Sequence, residues 1–204
     1  SVYKDVKKMW QNDPQLAGLL DPIISRRIPF GGRGDTRELV SFAAQEMHKP
    51  DGPRVGLLEF EGFDTHALQG NEDGHHAEIL AELDGVLEGF KRQMGDLYDN
   101  TVVVTVTEFG RTASENGTQG TDHGWASAIF LAGGLVKGKQ VISDWPGLGS
   151  KDLYEGRDLL MTIDARDVYA EVVKTVFDLN DEDIARDVFL GYRPEKSLGL
   201  MRST

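Results

Sequence analysis

The sequence predicts an α/β fold whose sheet carries helices on both faces. Residues 101–107 read TVVVTVT, a β-branched run of the kind that forms a buried strand. Residues 54–60 read RVGLLEF, a second strand, and between the two lies a helix-periodic stretch from about His75 to Met94. Strand, helix and strand, followed by a loop and the apolar Ala128 to Leu131, is the alternation that builds α/β layers.

The elements follow in chain order. Residues 1–34 read as a helical or irregular segment, in which Val2, Val6, Met9 and Trp10 recur at helical spacing before Pro14 and Pro22. The run Pro29-Phe30-Gly31-Gly32-Arg33-Gly34 follows no strand and lacks the lysine and hydroxyl of a phosphate-binding loop, so it reads as a linker. An α/β domain is expected over 35–190. Asp35 and Glu38 are placed as a capping box for a helix that buries Leu39, Phe42, Ala43 and Met47. Pro50-Asp51-Gly52-Pro53 turns the chain into the strand of 54–60.

In the long helix, Ile79, Leu80, Leu83, Val86, Leu87, Phe90 and Met94 share one face, which should pack on the sheet. His75 and His76 fall in its first turn, which is expected to be exposed. After the strand of 101–107, Ala128 to Leu131 form a third strand closed by Gly133-Gly134, and 139–142 add a short fourth. Asp164 caps a helix with Val168, Val172, Val173, Val176 and Phe177 at its apolar positions. Residues 180–189 read as a short final helix, and 191–204 as a loose tail.

Composition narrows the functions. The 204 residues suffice for one well-buried domain, and their formal charge of −12 argues against binding a phosphate backbone, which needs a basic face. An acidic chain suits the collection of divalent cations, although acidity also serves solubility. No apolar run approaches the ~20 residues of a membrane helix, so no membrane partner is expected. With no cysteine there are no disulfides, thiolate ligands or cysteine nucleophiles.

Chemistry is expected at the strand ends, where open α/β sheets keep their ligands. Glu108 stops the TVVVTVT run, and Asp122 and His123 lie side by side in the glycine-rich loop beyond it. Asp64 and His66 follow the other strand, in the order Glu61-Gly62-Phe63-Asp64-Thr65-His66. Carboxylates with neutral imidazoles suit Zn²⁺ or Mn²⁺, and the oxygen-rich share would accept Mg²⁺. The plain alternative is that the aspartates cap turns and the histidines bond to nearby backbone. There is a geometric corollary: Asp64 and Glu108 follow their strands but His123 precedes one, so that third strand must run antiparallel for the three to meet.

At these motifs the chain resembles the domain-of-unknown-function 1501 family, placed in the broad alkaline phosphatase and sulfatase superfamily. The likeness rests on GFDTHALQ, TEFGRT, GTQGTDHGWASAIFLAGGLVKGK and DLYEGRDLLMTIDARDVYAEVV, from about Thr36 to Leu179. It implies a three-layer α/β sandwich with a mixed, mostly parallel sheet, here an incomplete version of the superfamily core. It also implies zinc, manganese or, as in sulfatases, calcium, acting on a phosphoryl or sulfuryl centre of a small-molecule ester. Asp64 and His66 look like the superfamily's Asp-plus-His pair, more closely spaced here.

Two registers are open for the rest. In one, Asp122-His123-Gly124 is the superfamily's Asp-His-Gly; in the other, favoured because Glu108 ends a strand and AIFLAGG follows His123, Glu108-Phe109-Gly110 takes that place. Phe109 then stands where a ligand histidine would. Arg111 would clamp a phosphate or sulfate oxygen, or else ion-pair with Glu108 or Asp122. Trp125 and Trp145 would floor a pocket or fill core space, and Arg166 would be structural. No strand ahead of Arg54 supplies the superfamily's nucleophile, so the chain resembles the carboxyl-terminal half of a longer protein, or a short form with a reduced site. The missing half or a second copy of the chain would then be its protein partner. Export signals common in the family imply a bacterial periplasm.

These readings lead to three expectations. The first is a metal-dependent phosphate or sulfate ester hydrolase, with Asp64, His66 and His123 on one ion and Glu108 and Asp122 leaning toward a second. The second is a non-catalytic relative that kept the fold. The third is a purely structural network that holds the loop from Gly110 to Gly124.

Overall fold

The computed structural model describes residues 36–202. The expectations for 1–34, with their glycine-rich joint, for the Asp35 cap and for the last two residues lie outside the described residues.

Among the described residues the fold is mixed α/β, with three α-helices of more than one turn and two small sheets. Helix α1 spans Thr36–Met47 and helix α2 spans His75–Met94, the bounds the periodicity predicts for α2. A 3₁₀ helix at Gly95–Asn100 then leads to β1, Val103–Val104. Strand β1 pairs with β4, Leu131–Ala132, and β2, Gly110–Arg111, pairs with β3, His123–Gly124. Both pairings are antiparallel, so the strand after His123 runs in the direction that a shared site requires.

The sheet is smaller than the sequence suggests. Residues 55–60 belong to no strand, and of 101–107 only Val103 and Val104 are paired. The predicted strand at 139–142 is also absent. A run becomes a strand only where a neighbour takes its hydrogen bonds; among the described residues 101–107 finds one only around Val103 to Thr105, and 55–60 and 139–142 find none. Their side chains show it: Leu57 is 96% and Val141 93% exposed. The mostly parallel sheet of the expected sandwich is therefore not seen here; the described pairs are two antiparallel ribbons.

The core lies between α1 and α2. Val40 and Ala44 of α1 pack with Val86, Phe90 and Met94 of α2, flanked by Met47, Phe60, Tyr98 and Val103. The buried face of α1 is rotated from the predicted one, since Phe42 is exposed and Val40 is buried. On α2 the order holds for Ile79, Val86, Phe90 and Met94, while Leu80 faces water. Burying a side chain such as Phe90 contributes about 1.5–3 kcal/mol, enough for this small cluster to anchor the helix pair.

Helix α3, Ala165–Phe177, begins as expected: the Asp164 carboxylate accepts the Arg166 N–H at 2.8 Å. Its last residue, Phe177, is exposed, and Asp178 ends it in the left-handed conformation. The final helical piece opens with a capping box at Asn180 and Asp183, runs as the short α4 (Asp181–Asp183), and widens into a π-turn at Ile184–Val188.

The tail is not loose. Asp167 accepts the Tyr192 hydroxyl at 2.7 Å and the Glu195 N–H at 3.0 Å, and Glu171 accepts the N–H groups of Leu198, Leu200 and Met201. Val136 and Met201 form a bridge, and Leu200 is buried. One turn apart on α3, the two acids supply acceptors to a segment that has no ladder of its own.

Candidate metal centre

Two loops build the site. The stretch 64–69 follows the unpaired run at 55–60, and the stretch 116–122 leads into β3. They lie against each other through backbone bonds: Leu68 N–H to Thr118 O at 3.0 Å, Gln69 N–H to Gln119 O at 2.8 Å, and Thr121 N–H to Thr65 O at 3.2 Å. Asn116 and Thr118 fasten them further, donating side-chain hydrogens to the His66 carbonyl at 3.0 and 2.6 Å. Gly120 is required at the crossing, because a Cβ there would fall 2.3 Å from the His66 carbonyl carbon.

The small sheet β2–β3 delivers the opposite wall. Arg111 and His123 are directly opposed in its register, so their side chains stand on one face. Both reach Asp64. The Arg111 guanidinium donates to Asp64 Oδ1 at 2.6 Å, and His123 Nε2 lies 2.9 Å from the same oxygen. His66 Nε2 also lies 2.9 Å from it.

The other ring nitrogen of His66, Nδ1, is 3.1 Å from Asp122 Oδ1, which also accepts from Asn116 at 3.0 Å. Asp122 thus holds His66 by one nitrogen while the other faces Asp64. The His123 ring is held differently: Phe109 lies stacked on it with centroids 3.7 Å apart and planes 16° off parallel, and the His66 ring packs on it at 4.9 Å. Arg111 is itself fixed, with Nε donating to the Thr121 hydroxyl at 3.0 Å and Nη2 to the Thr121 carbonyl.

Electrostatics follow the geometry. The Arg111 guanidinium, with the His123 bond second, holds the Asp64 carboxyl below the usual carboxylate range. Bonds from Asn116 and then His66 do the same to Asp122. Both acids are therefore charged at neutral pH.

Among the described residues, the metal-ligating atoms that converge belong to Asp64, His66 and His123, all within 4.8 Å of one another. Around a tetrahedral ion with bonds near 2.0–2.1 Å, ligand atoms sit roughly 3.3–3.5 Å apart. Both imidazole nitrogens lie 2.9 Å from Asp64 Oδ1, so small side-chain rotations that part these pairs would admit one cation. One carboxylate oxygen and two imidazole nitrogens are the donor set of many open, three-ligand zinc sites. The residues present fit the group.

The remaining predicted residues divide. Asp122 stands one step behind His66, outside the converging trio. Glu108 is exposed and is not brought into the cluster. Arg111 is in the site, but paired with Asp64 and not with Glu108 or Asp122. His76 begins α2 with its Nδ1 buried and unpartnered, its ring edge-on to Phe63 at 5.8 Å, and burial lowers its pKa.

Sequence reasoning missed Asn116, Gln69 and Arg157. Gln69 Oε1 receives the hydroxyls of both Thr65 (2.8 Å) and Thr121 (2.7 Å), and Arg157 donates to the His123 carbonyl at 2.7 Å. The signal for Asn116 was its place two residues before Thr118 in a glycine-rich loop, where an Asn side chain can cap local N–H groups. It accepts those of Thr118 and Gly120. Nothing local in the sequence marks Gln69 or Arg157.

A family model described as "Protein of unknown function (DUF1501)" matches residues 37–189, about three quarters of the chain. Neither a curated protein nor a solved structure matches it.

Proposed function

The chain belongs to the DUF1501 family, and from that premise we propose a divalent-metal-dependent hydrolase of phosphate or sulfate esters, or the metal-ligand half of one. One observation carries this reading. A carboxylate oxygen and two imidazole nitrogens converge from separate loops, and Asp122 grips one imidazole by its far nitrogen. An orienting carboxylate behind a histidine is the usual support of a metal ligand.

Zn²⁺ or Mn²⁺ suits the donor set best, with Mg²⁺ or Ca²⁺ as harder alternatives. When bound, the ion would supply Lewis acidity toward an ester oxygen and toward water. The chain's own residues set the stage. Arg111 keeps Asp64 ionised and aimed, Phe109 fixes the plane of His123, and exposed Glu108 is the carboxylate left for a second cation. The hydroxyls of Thr65 and Thr121 are both spent on Gln69, so water serves as nucleophile in this reading. The proposal extends to the fold: an alkaline phosphatase-like three-layer sandwich would give the unpaired run at 55–60 and the partly paired run at 101–107 the strand neighbours their composition calls for.

The test is release of p-nitrophenol from its phosphate and sulfate esters with Zn²⁺ or Mn²⁺ present. The proposal expects turnover that a chelator removes and that Asp64→Asn abolishes. Turnover unchanged by Asp64→Asn would contradict it. A second reading, a structural network that holds the loop from Gly110 to Gly124, is favoured by one fact: Asp64 Oδ1 already meets Arg111, His66 and His123, so the cluster is balanced as a loop-fastening network. Under that reading, chelation changes neither stability nor activity.

A further inference from the structure

Trp125 and Tyr154 are stacked on each other, ring centroids 5.4 Å apart and planes 21° off parallel, yet they remain 56% and 38% exposed. Tryptophans beside glycine-rich loops ordinarily fill core space; this one does not. The pair is also placed at the candidate centre. Trp125 follows His123 by two residues, at most ~7 Å along the chain, at the bend that ends β3.

Tyr154 belongs to a hydrogen-bonded turn. Tyr154 and Asp158 pair with each other, Asp158 bridges to Thr112 next to β2, and the Ala113 N–H donates to the Arg157 carbonyl at 3.1 Å. That turn carries Arg157, whose guanidinium holds the His123 carbonyl at 2.7 Å and whose charge acts on Asp122. A flat aromatic surface and a cation therefore both adjoin the segment that carries Asp122 and His123.

We propose that Trp125 and Tyr154 form a subsite for the sugar ring of a pyranose monoester, with Arg157 facing its anionic group toward Asp64, His66 and His123. The inference rests on the hydrolase reading and narrows its substrate class. An aryl group would gain most from enclosure between two surfaces, as in ordinary apolar pockets. This platform is open on one side, which suits a ring with an apolar C–H face and a hydroxylated rim that stays in water. Arg157 supplies the charge complement in a chain of net charge −12.

The test is calorimetric titration of the chain, with and without Zn²⁺, using glucose 6-phosphate, glucose 6-sulfate, phenyl phosphate and inorganic phosphate. The expected result is saturable binding of the sugar esters, weakened about tenfold or more by Trp125→Ala and by Tyr154→Ala, and within about threefold of wild type in Trp125→Phe. Inorganic phosphate should bind all variants alike, which also shows that they are folded. Equal binding of a sugar ester by wild type and Trp125→Ala, tighter binding of phenyl phosphate than of either sugar ester, or no saturable sugar-ester binding would each overturn the proposal. Metal-dependent hydrolysis without Trp125-dependent sugar binding sinks the subsite alone. Trp125-dependent sugar binding without hydrolysis sinks the hydrolase reading alone.

Discussion

Nδ1 of His66 lies 3.1 Å from Oδ1 of Asp122, which leaves Nε2 of the same ring pointing at Asp64. The arrangement fixes the plane of the imidazole. Removing the carboxylate should therefore loosen the ligand without removing it. Asp122→Ala is expected to weaken Zn²⁺ binding by about 10- to 100-fold, read by competition against a chromophoric chelator. Unchanged affinity would show that His66 needs no such support.

Arg111 lowers the pH at which Asp64 takes up a proton. Because the folded-state pKa of Asp64 is depressed, its contribution to stability is present above the ordinary aspartate value of about 3.9 and is lost as pH falls through the lower folded value. In Arg111→Met the carboxyl titration of Asp64, followed by carbon NMR, should move up toward the ordinary value. The acid-side loss of stability assigned to this group should shrink with it. An Asp64 midpoint that stays put would mean that the 2.6 Å contact carries no weight in solution.

Gly120 is the tightest crossing of the two site loops. Gly120→Ala places a Cβ against the backbone of His66 and Ala67, so the loops must part. The expected cost is roughly 1–3 kcal/mol, or a fall in Tm of roughly 3–10 °C for a chain of this size. Thermal unfolding checks the stability, and the same variant should bind metal more weakly.

Glu171 fastens the tail. Glu171→Ala leaves the N–H groups of Leu198, Leu200 and Met201 without their acceptor. Their amide exchange should quicken about tenfold or more, as expected when a bond to a charged group is lost. Trypsin should also cut sooner after Lys196. Equal exchange in both proteins would place the tail's order elsewhere.

What the sequence disclosed follows the range of the forces involved. Helix α2 and the Asp164-capped α3 were legible because periodicity and caps act within a few residues. The convergence of Asp64, His66 and His123 was legible because each stands just beyond an apolar run or just before one. The tail was misread, since its order comes from Asp167 and Glu171 about 25–30 residues away, a contact no local pattern encodes. The strands at 55–60 and 139–142 were overread for the converse reason: β-propensity records a side chain's fitness for a pleated surface, and the neighbour that makes the surface is not written beside it. Phe109 shows both limits at once. The sequence marks it as a ring that cannot ligate, and only the fold shows that ring lying on His123.

The central claim is that Asp64, His66 and His123 share one cation. Its most direct measurement is metal content after the purified chain is loaded with Zn²⁺ or Mn²⁺ and freed of excess by gel filtration. About one ion per chain is expected, falling to background in each of Asp64→Ala, His66→Ala and His123→Ala while the helical circular dichroism persists. Metal retained equally by wild type and the three variants, or no metal retained by any, would contradict the account.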